Sequence, residues 1–144
     1  EAAGNGLTVR GVEDIARPDI APTKVLFCAE RPELEALEQR LRAENADQIE
    51  LAYSSRIYME ATAAGVDKST AIRDFCRTQA IGAEETMAFG DNGNDVTMLR
   101  AAGVGVAMGN GILEAKEAAD VVTTSNDDEG IARVLAQHFA VEIS

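Results

Sequence analysis

The sequence predicts an α/β protein: a parallel-stranded, doubly wound unit preceded by part of an α+β module. Three observations point there. After about residue 62, short apolar runs alternate with helix-length segments through small connections, as strands do when crossover helices bury both faces of a parallel sheet. Before it, Ile49–Tyr53 and Ile57–Ala61 alternate in polarity around polar Ser54–Arg56, as an antiparallel pair with one wetted face does. Between these signals and the end of the chain, the run Thr86–Phe89 stops at Gly90 and opens into Asp91-Asn92-Gly93-Asn94-Asp95. Carboxylates and amides at the carboxyl end of a strand stand where open α/β sheets place their ligand sites.

In chain order, residues 1–22 carry Gly4, Gly6, Gly11, Pro18 and Pro22 and offer only a possible strand near Leu7 to Val12. Thr23–Ala29 reads as a buried strand. Pro32 opens a helix over Glu33–Glu44, with Leu34, Leu37 and Leu41 as its stripe, early glutamates and late arginines. Past the two alternating strands, Asp67 is the expected cap of a helix over Lys68–Gln79, with Ile72, Phe75 and Cys76 on its buried side. Strand Thr86–Phe89 leads through the Asp91 loop to a short helix Val96–Ala102 closed by Gly103. Strand Val104–Met108, helix Leu113–Ala119, strand Asp120–Thr123 and helix Ile131–Phe139 complete the alternation.

Composition bounds the function. With 144 residues the chain forms one compact domain, or a small domain and part of another, and without Trp its core rests on aliphatic residues and Met. Thirteen basic against 25 acidic residues leave a formal charge of -12, which argues against non-specific binding to nucleic acid or anionic membranes. An anionic substrate is still admissible where a divalent cation and a well-placed Lys reverse the local potential. No apolar stretch reaches transmembrane or secretory-signal character, and Cys28 and Cys76 read as buried small hydrophobes in a reducing compartment, with one disulfide as the alternative. The expected location is cytoplasmic. The chain opens at Glu1 without Met, which fits an internal fragment, a processed product or an expression boundary.

The chemistry concentrates at few residues. Asp91 and Asp95, four apart around Asn92-Gly93-Asn94, offer hard oxygen ligands suited to Mg²⁺, or else form a capped, solvated turn. Gly90 and Gly93 permit tight or positive-φ geometry there, and Asp95 is placed to cap or begin the next helix. Lys68 at a helix start opposes the macrodipole unless an anion sits there; its other reading is a surface lysine offset by Asp67. Asn110, at another strand end, orients the first loop or donates to a phosphate, or forms an αL turn. Asn126–Gly130 suits a turn and helix start rather than a second metal site. His138 is a helix residue without the partners of a catalytic base, and neither Cys has a CxxC or His-linked setting.

Gly65-Val-Asp-Lys68, Phe89-Gly-Asp-Asn-Gly-Asn-Asp95, Met98–Gly103, Val106-Ala-Met-Gly-Asn110 and Ser125–Gly130 together resemble the haloacid dehalogenase (HAD) superfamily, and most its Cof-type capped sugar-phosphatase branch. The likeness runs from about Thr23 to Val134, with Asn110-Gly111 departing from the family's frequent Asn-Ala. It implies that residues 1–61 are the carboxyl-terminal part of an α+β cap module and residues 62–144 the carboxyl-terminal half of a Rossmann-like core. It further implies that Lys68 contacts the nucleophilic carboxylate and phosphate, that Asp91 ligates Mg²⁺ and Asp95 supports the metal or its water, that Asn94 holds the acidic loop or phosphate, and that Asn110 lies near the same site.

The family also uses an Asp-x-Asp after an amino-terminal strand, and no such motif follows an apolar strand in this sequence. The expectation is therefore a Mg²⁺-dependent phosphomonoesterase for a sugar phosphate or similar small metabolite, inactive as this chain alone. Its expected partner is the amino-terminal half of the same protein, or a second copy through an exposed sheet edge. The alternative is a non-enzymatic, degenerate HAD domain that binds Mg²⁺ or a protein.

Overall fold

A computed structural model describes residues 21–45 and 47–140; the possible strand near Leu7 to Val12 lies outside them. The first unit consists of β1 (Val25–Cys28), α1 (Arg31–Asn45), β2 (Ile49–Tyr53) and β3 (Tyr58–Ala63). Its antiparallel sheet has the order β1-β3-β2, with Cys28 opposite Tyr58 and Tyr53 opposite Met59. The period-2 alternation sends Leu51 and Met59 to one face, where they pack with Leu34, Leu37 and Leu41 of α1 and with Phe27. The opposite face carries Lys24, Glu50, Ala52, Glu60 and Thr62. β1 differs from the buried strand its apolar run predicts. Only one face is covered, so Leu26 and Cys28 are exposed, and the cysteines are free thiols of which Cys76 alone is buried.

The second unit comprises α2 (Lys68–Gln79), β4 (Met87–Gly90), α3 (Val96–Ala101), β5 (Val104–Ala107), α4 (Leu113–Ala118), β6 (Val121–Val122) and α5 (Gly130–Phe139). The three strands are parallel in the order β4-β5-β6, with Gly90 opposite Ala107. The α/β class with a parallel sheet is as the alternating pattern predicts. Ala88, Leu99, Val106, Ala107, Met108 and Ala115 form the buried interior of this unit.

Two local expectations fail for identifiable reasons. Phe75 is 62% exposed. Ser69 and Cys76 define the buried side of α2, and Phe75 falls outside it. α3 stops without a left-handed glycine: Gly103 has no positive φ, and its missing Cβ instead makes room for the Glu84 carbonyl, 2.5 Å from where that Cβ would lie. Of the two geometries open to Gly90 and Gly93, the structure takes the close-packed one, without positive φ. Among the described residues no helix is long and apolar enough to cross a membrane.

Candidate active site

β4 delivers the acidic loop at the carboxyl end of the parallel sheet. After Gly90 the chain passes Asp91 and Asn92, makes a 3-10 turn over Gly93–Asp95 and enters α3. Asp95 stands at the start of α3, but its carboxylate does not cap that helix. It turns back instead: Oδ2 accepts the backbone N–H groups of Asp91 (3.0 Å) and Asn92 (3.1 Å), while Oδ1 accepts from Lys68 Nζ. The space for this is at Gly90, where a Cβ would lie 2.4 Å from that of Asp95.

The Asp95 side chain is 6% exposed and that of Lys68 47%. Burial pushes the Asp95 carboxyl upward, but the Lys68 ammonium and the two N–H donors outweigh it and hold the group below the usual carboxylate range. Asp95 is thus an ionised brace that ties the start of α2 to the turn after β4. Lys68 owes its own position to Asp67. The Asp67 carboxylate accepts Thr70 N–H (2.8 Å) and the hydroxyls of Ser69 (2.7 Å) and Thr70 (2.8 Å), as a helix cap should.

Asp91 is half-buried, and its carbonyl accepts Ile112 N–H at 2.9 Å, which joins the loop to the segment after β5. Gly111 packs against the Asp91 backbone, a Cβ there coming within 3.1 Å of Asp91 Cα. Neighbouring Asn110 is exposed, and its carboxamide oxygen accepts Asn126 N–H at 3.1 Å. Asn110 therefore ties the two late loops together, and it does so without the αL conformation weighed for it from sequence. Asn126–Asp128 form a 3-10 turn before α5, with Glu129 taking the left-handed conformation, as a turn and helix-start role requires. His138 is exposed on α5 and stacks edge-on against Phe139.

Lys68 and Asn94 open onto a cavity of about 340 Å³ roofed by the polar face of the antiparallel sheet, with Lys24, Glu50, Glu60 and Thr62. The two units meet at Gly93, where a Cβ would sit 3.3 Å from the Tyr53 carbonyl. The alternation of β2 and β3 indicates a wetted face, but nothing in it says that this face looks onto the Lys68 loop. The structure therefore links Lys68, Asp95 and the Asp91 backbone directly, adds Asn94 beside Lys68, and turns Asn110 toward residue 126.

The donor set fits a hard cation in part. Asp91 supplies a carboxylate free of the bonds that occupy both oxygens of Asp95, and Mg²⁺ commonly takes only one or two protein carboxylates beside water and phosphate oxygens. Among the described residues no three His, Cys, Asp or Glu side chains converge as a closed metal cage. The sequence matches the haloacid dehalogenase-like hydrolase family over residues 9–135. The chain belongs to that family.

The relatives of this HAD-like chain agree. It is 34% identical over 119 residues to a candidate phosphatase of Haemophilus influenzae, covering 83% of this chain and 45% of that protein. It is 37% identical over 83 residues to the 5-amino-6-(5-phospho-D-ribitylamino)uracil phosphatase YitU of Bacillus subtilis, covering 58% of this chain and 31% of that one. The solved HAD subclass IIB sugar phosphatase BT4131 superposes with a TM-score of 0.71 at 33% identity, over 83% of this chain and 44% of its own. The resemblance to the Cof-type branch is borne out. The HAD-like chain spans less than half the length of these three relatives.

Proposed function

We propose that this chain is the metal- and phosphate-side wall of a Mg²⁺-dependent phosphomonoesterase acting on a sugar phosphate or similar small phosphorylated metabolite. The observation that carries the reading is the Lys68–Asp95 pair bound to the Asp91 loop at the end of a parallel strand. Lys68 balances charge on the phosphate, Asp95 holds Lys68 and the loop in register, and Asn94 adds an amide beside them. Asp91 would hold Mg²⁺, which when bound neutralises phosphate oxygens. The attacking carboxylate and the general acid come from sequence outside this chain, since an Asp-x-Asp is absent from it. That carboxylate displaces the alcohol to form an aspartyl-phosphate, which water then hydrolyses. The amino-terminal half of the same protein is the proposed source, and the free edge of β4 is its proposed docking strand, because among the described residues β4 bonds only to β5. The sheet face over Lys68 would contact the leaving alcohol and exclude water.

The test is hydrolysis of p-nitrophenyl phosphate and a sugar-phosphate panel with Mg²⁺, by this chain and by a longer protein carrying the amino-terminal half. The longer protein should turn over and this chain should not, and Lys68→Met or Asp91→Asn should lower kcat/KM by roughly 100-fold or more. Turnover by the 144-residue chain alone would sink the supplied-nucleophile proposal. A longer protein with no turnover that still binds Mg²⁺ would favour the non-enzymatic binding domain.

A further inference from the structure

A second cavity, about 590 Å³, shares Gly93 and Thr97 with the first and is walled by Arg31, Arg56, Arg100 and Tyr53, with Asn92 beside the acidic loop. Its charge runs against the chain as a whole. The sequence carries -12, yet three guanidinium groups line this one cleft and Glu114 is the single carboxylate among its lining residues. Clustered like charges repel unless an anion sits between them, and guanidinium is the side chain whose fork matches carboxylate and phosphate oxygens.

Each guanidinium keeps donors beyond the contacts it makes within the described residues. The Arg31 guanidinium lies 3.6 Å from the centroid of the Tyr53 ring, and its Nε donates to Glu35 at 2.9 Å, a bond that leaves the two terminal nitrogens for another acceptor. Tyr53 is fixed in turn by donating its hydroxyl to Glu38 at 2.9 Å. Arg56 makes a long ion pair with Glu30 at 3.7 Å, too far for a hydrogen bond, and Arg100 has no ion-pair partner among the described residues. The flanking Glu30 and Glu35 offset part of this charge, but neither lines the cleft.

Asn92 directly follows Asp91, so the cleft begins one residue from the carboxylate assigned to the metal. We propose that the Arg31, Arg56 and Arg100 cleft binds a second anionic group on the substrate, a carboxylate or a further phosphate. The substrate class is then a phosphate ester whose leaving alcohol carries another anion. This rests on the phosphatase reading for the reacting phosphate, but the recognition step can be measured apart from hydrolysis.

Two matched pairs in the longer protein test it: fructose 1,6-bisphosphate against fructose 6-phosphate, and 6-phosphogluconate against glucose 6-phosphate. The Arg31→Gln/Arg100→Gln variant should reduce the kcat/KM preference for the doubly anionic member of at least one pair by about tenfold, with p-nitrophenyl phosphate held within about twofold. The pair that responds identifies the second anion. Arg56→Gln, at a largely exposed side chain, should move the same ratio in the same direction without disturbing the fold. Unchanged ratios in both pairs, or an equal loss on p-nitrophenyl phosphate, would overturn the proposal. Calorimetric titration with both doubly anionic ligands supplies the arm independent of turnover. Binding of one of them weakened about tenfold in the double variant supports the cleft even in a protein that hydrolyses nothing. Unaltered affinity for both contradicts it.

Discussion

Gly90 and Asp95 occupy one space. A Cβ on residue 90 would fall 2.4 Å from the Asp95 Cβ and 2.9 Å from its Cγ, and both residues are buried. Neither atom can yield cheaply, because the Asp95 carboxylate is held from both oxygens by Lys68 and two backbone N–H groups. Gly90→Ala should therefore destabilise the protein by about 1–3 kcal/mol through overpacking, seen as a lower urea midpoint. An unchanged midpoint would show that the turn after β4 can open without loss. The Gly-Asp pair and the Asp91–Asp95 spacing were legible as a candidate site, as was Lys68. The division of labour between the two carboxylates was not. Spacing puts both near one loop, whereas burial and hydrogen bonding make Asp95 the brace and leave Asp91 open at the strand end. Arg31, Arg56 and Arg100 lie far apart in the chain and belong to no local pattern, so only folding brings them to one cleft.

The start of α2 shows how much of an element its own sequence dictates. Asp67 before Lys68-Ser69-Thr70 is a capping signal, and the helix runs over Lys68–Gln79 as that signal predicts. Partial burial pushes the Asp67 carboxyl upward, but Thr70 N–H and the hydroxyls of Ser69, Thr70 and Thr97 outweigh it and lower the group from 3.8 to about 2. A depressed folded-state value means that this stabilisation is complete above the unfolded value and is lost as pH falls through the folded one. Asp67→Ala should cost about 1 kcal/mol at neutral pH, and its deficit relative to the parent should shrink between about pH 4 and pH 2. Thermal melts across that range check it, and a deficit independent of pH would contradict the assignment. The neighbouring error is instructive. Phe75 fits the apolar count of α2 but not its buried side, because a helix packed along one narrow line leaves the flank of its stripe in solvent.

At the scale of the whole molecule, apolar surface is left uncovered in particular places. β6 exposes Val121 and Val122, α5 exposes Ile131, Leu135 and Phe139 along one stripe, and β4 has a hydrogen-bonded neighbour on one side only among the described residues. Unpaired strand edges and unpartnered amphipathic helices favour association. A longer protein that supplies the amino-terminal half should melt at a higher temperature and remain soluble at higher concentration than this chain. Coincident melting curves at matched concentration and metal content would contradict that, and concentration-dependent melting of this chain would point to self-association instead. The sequence by itself determined the α/β class, most element positions, the capped Lys68 and the acidic loop, because periodicity, caps and turn chemistry act over a few residues. Tertiary structure alone decided that the polar sheet face roofs the Lys68 cavity, that Asp95 is spent on bracing and that Asn110 reaches toward residue 126. Those outcomes depend on which distant segments share a small volume, and chain-local patterns carry no information about that.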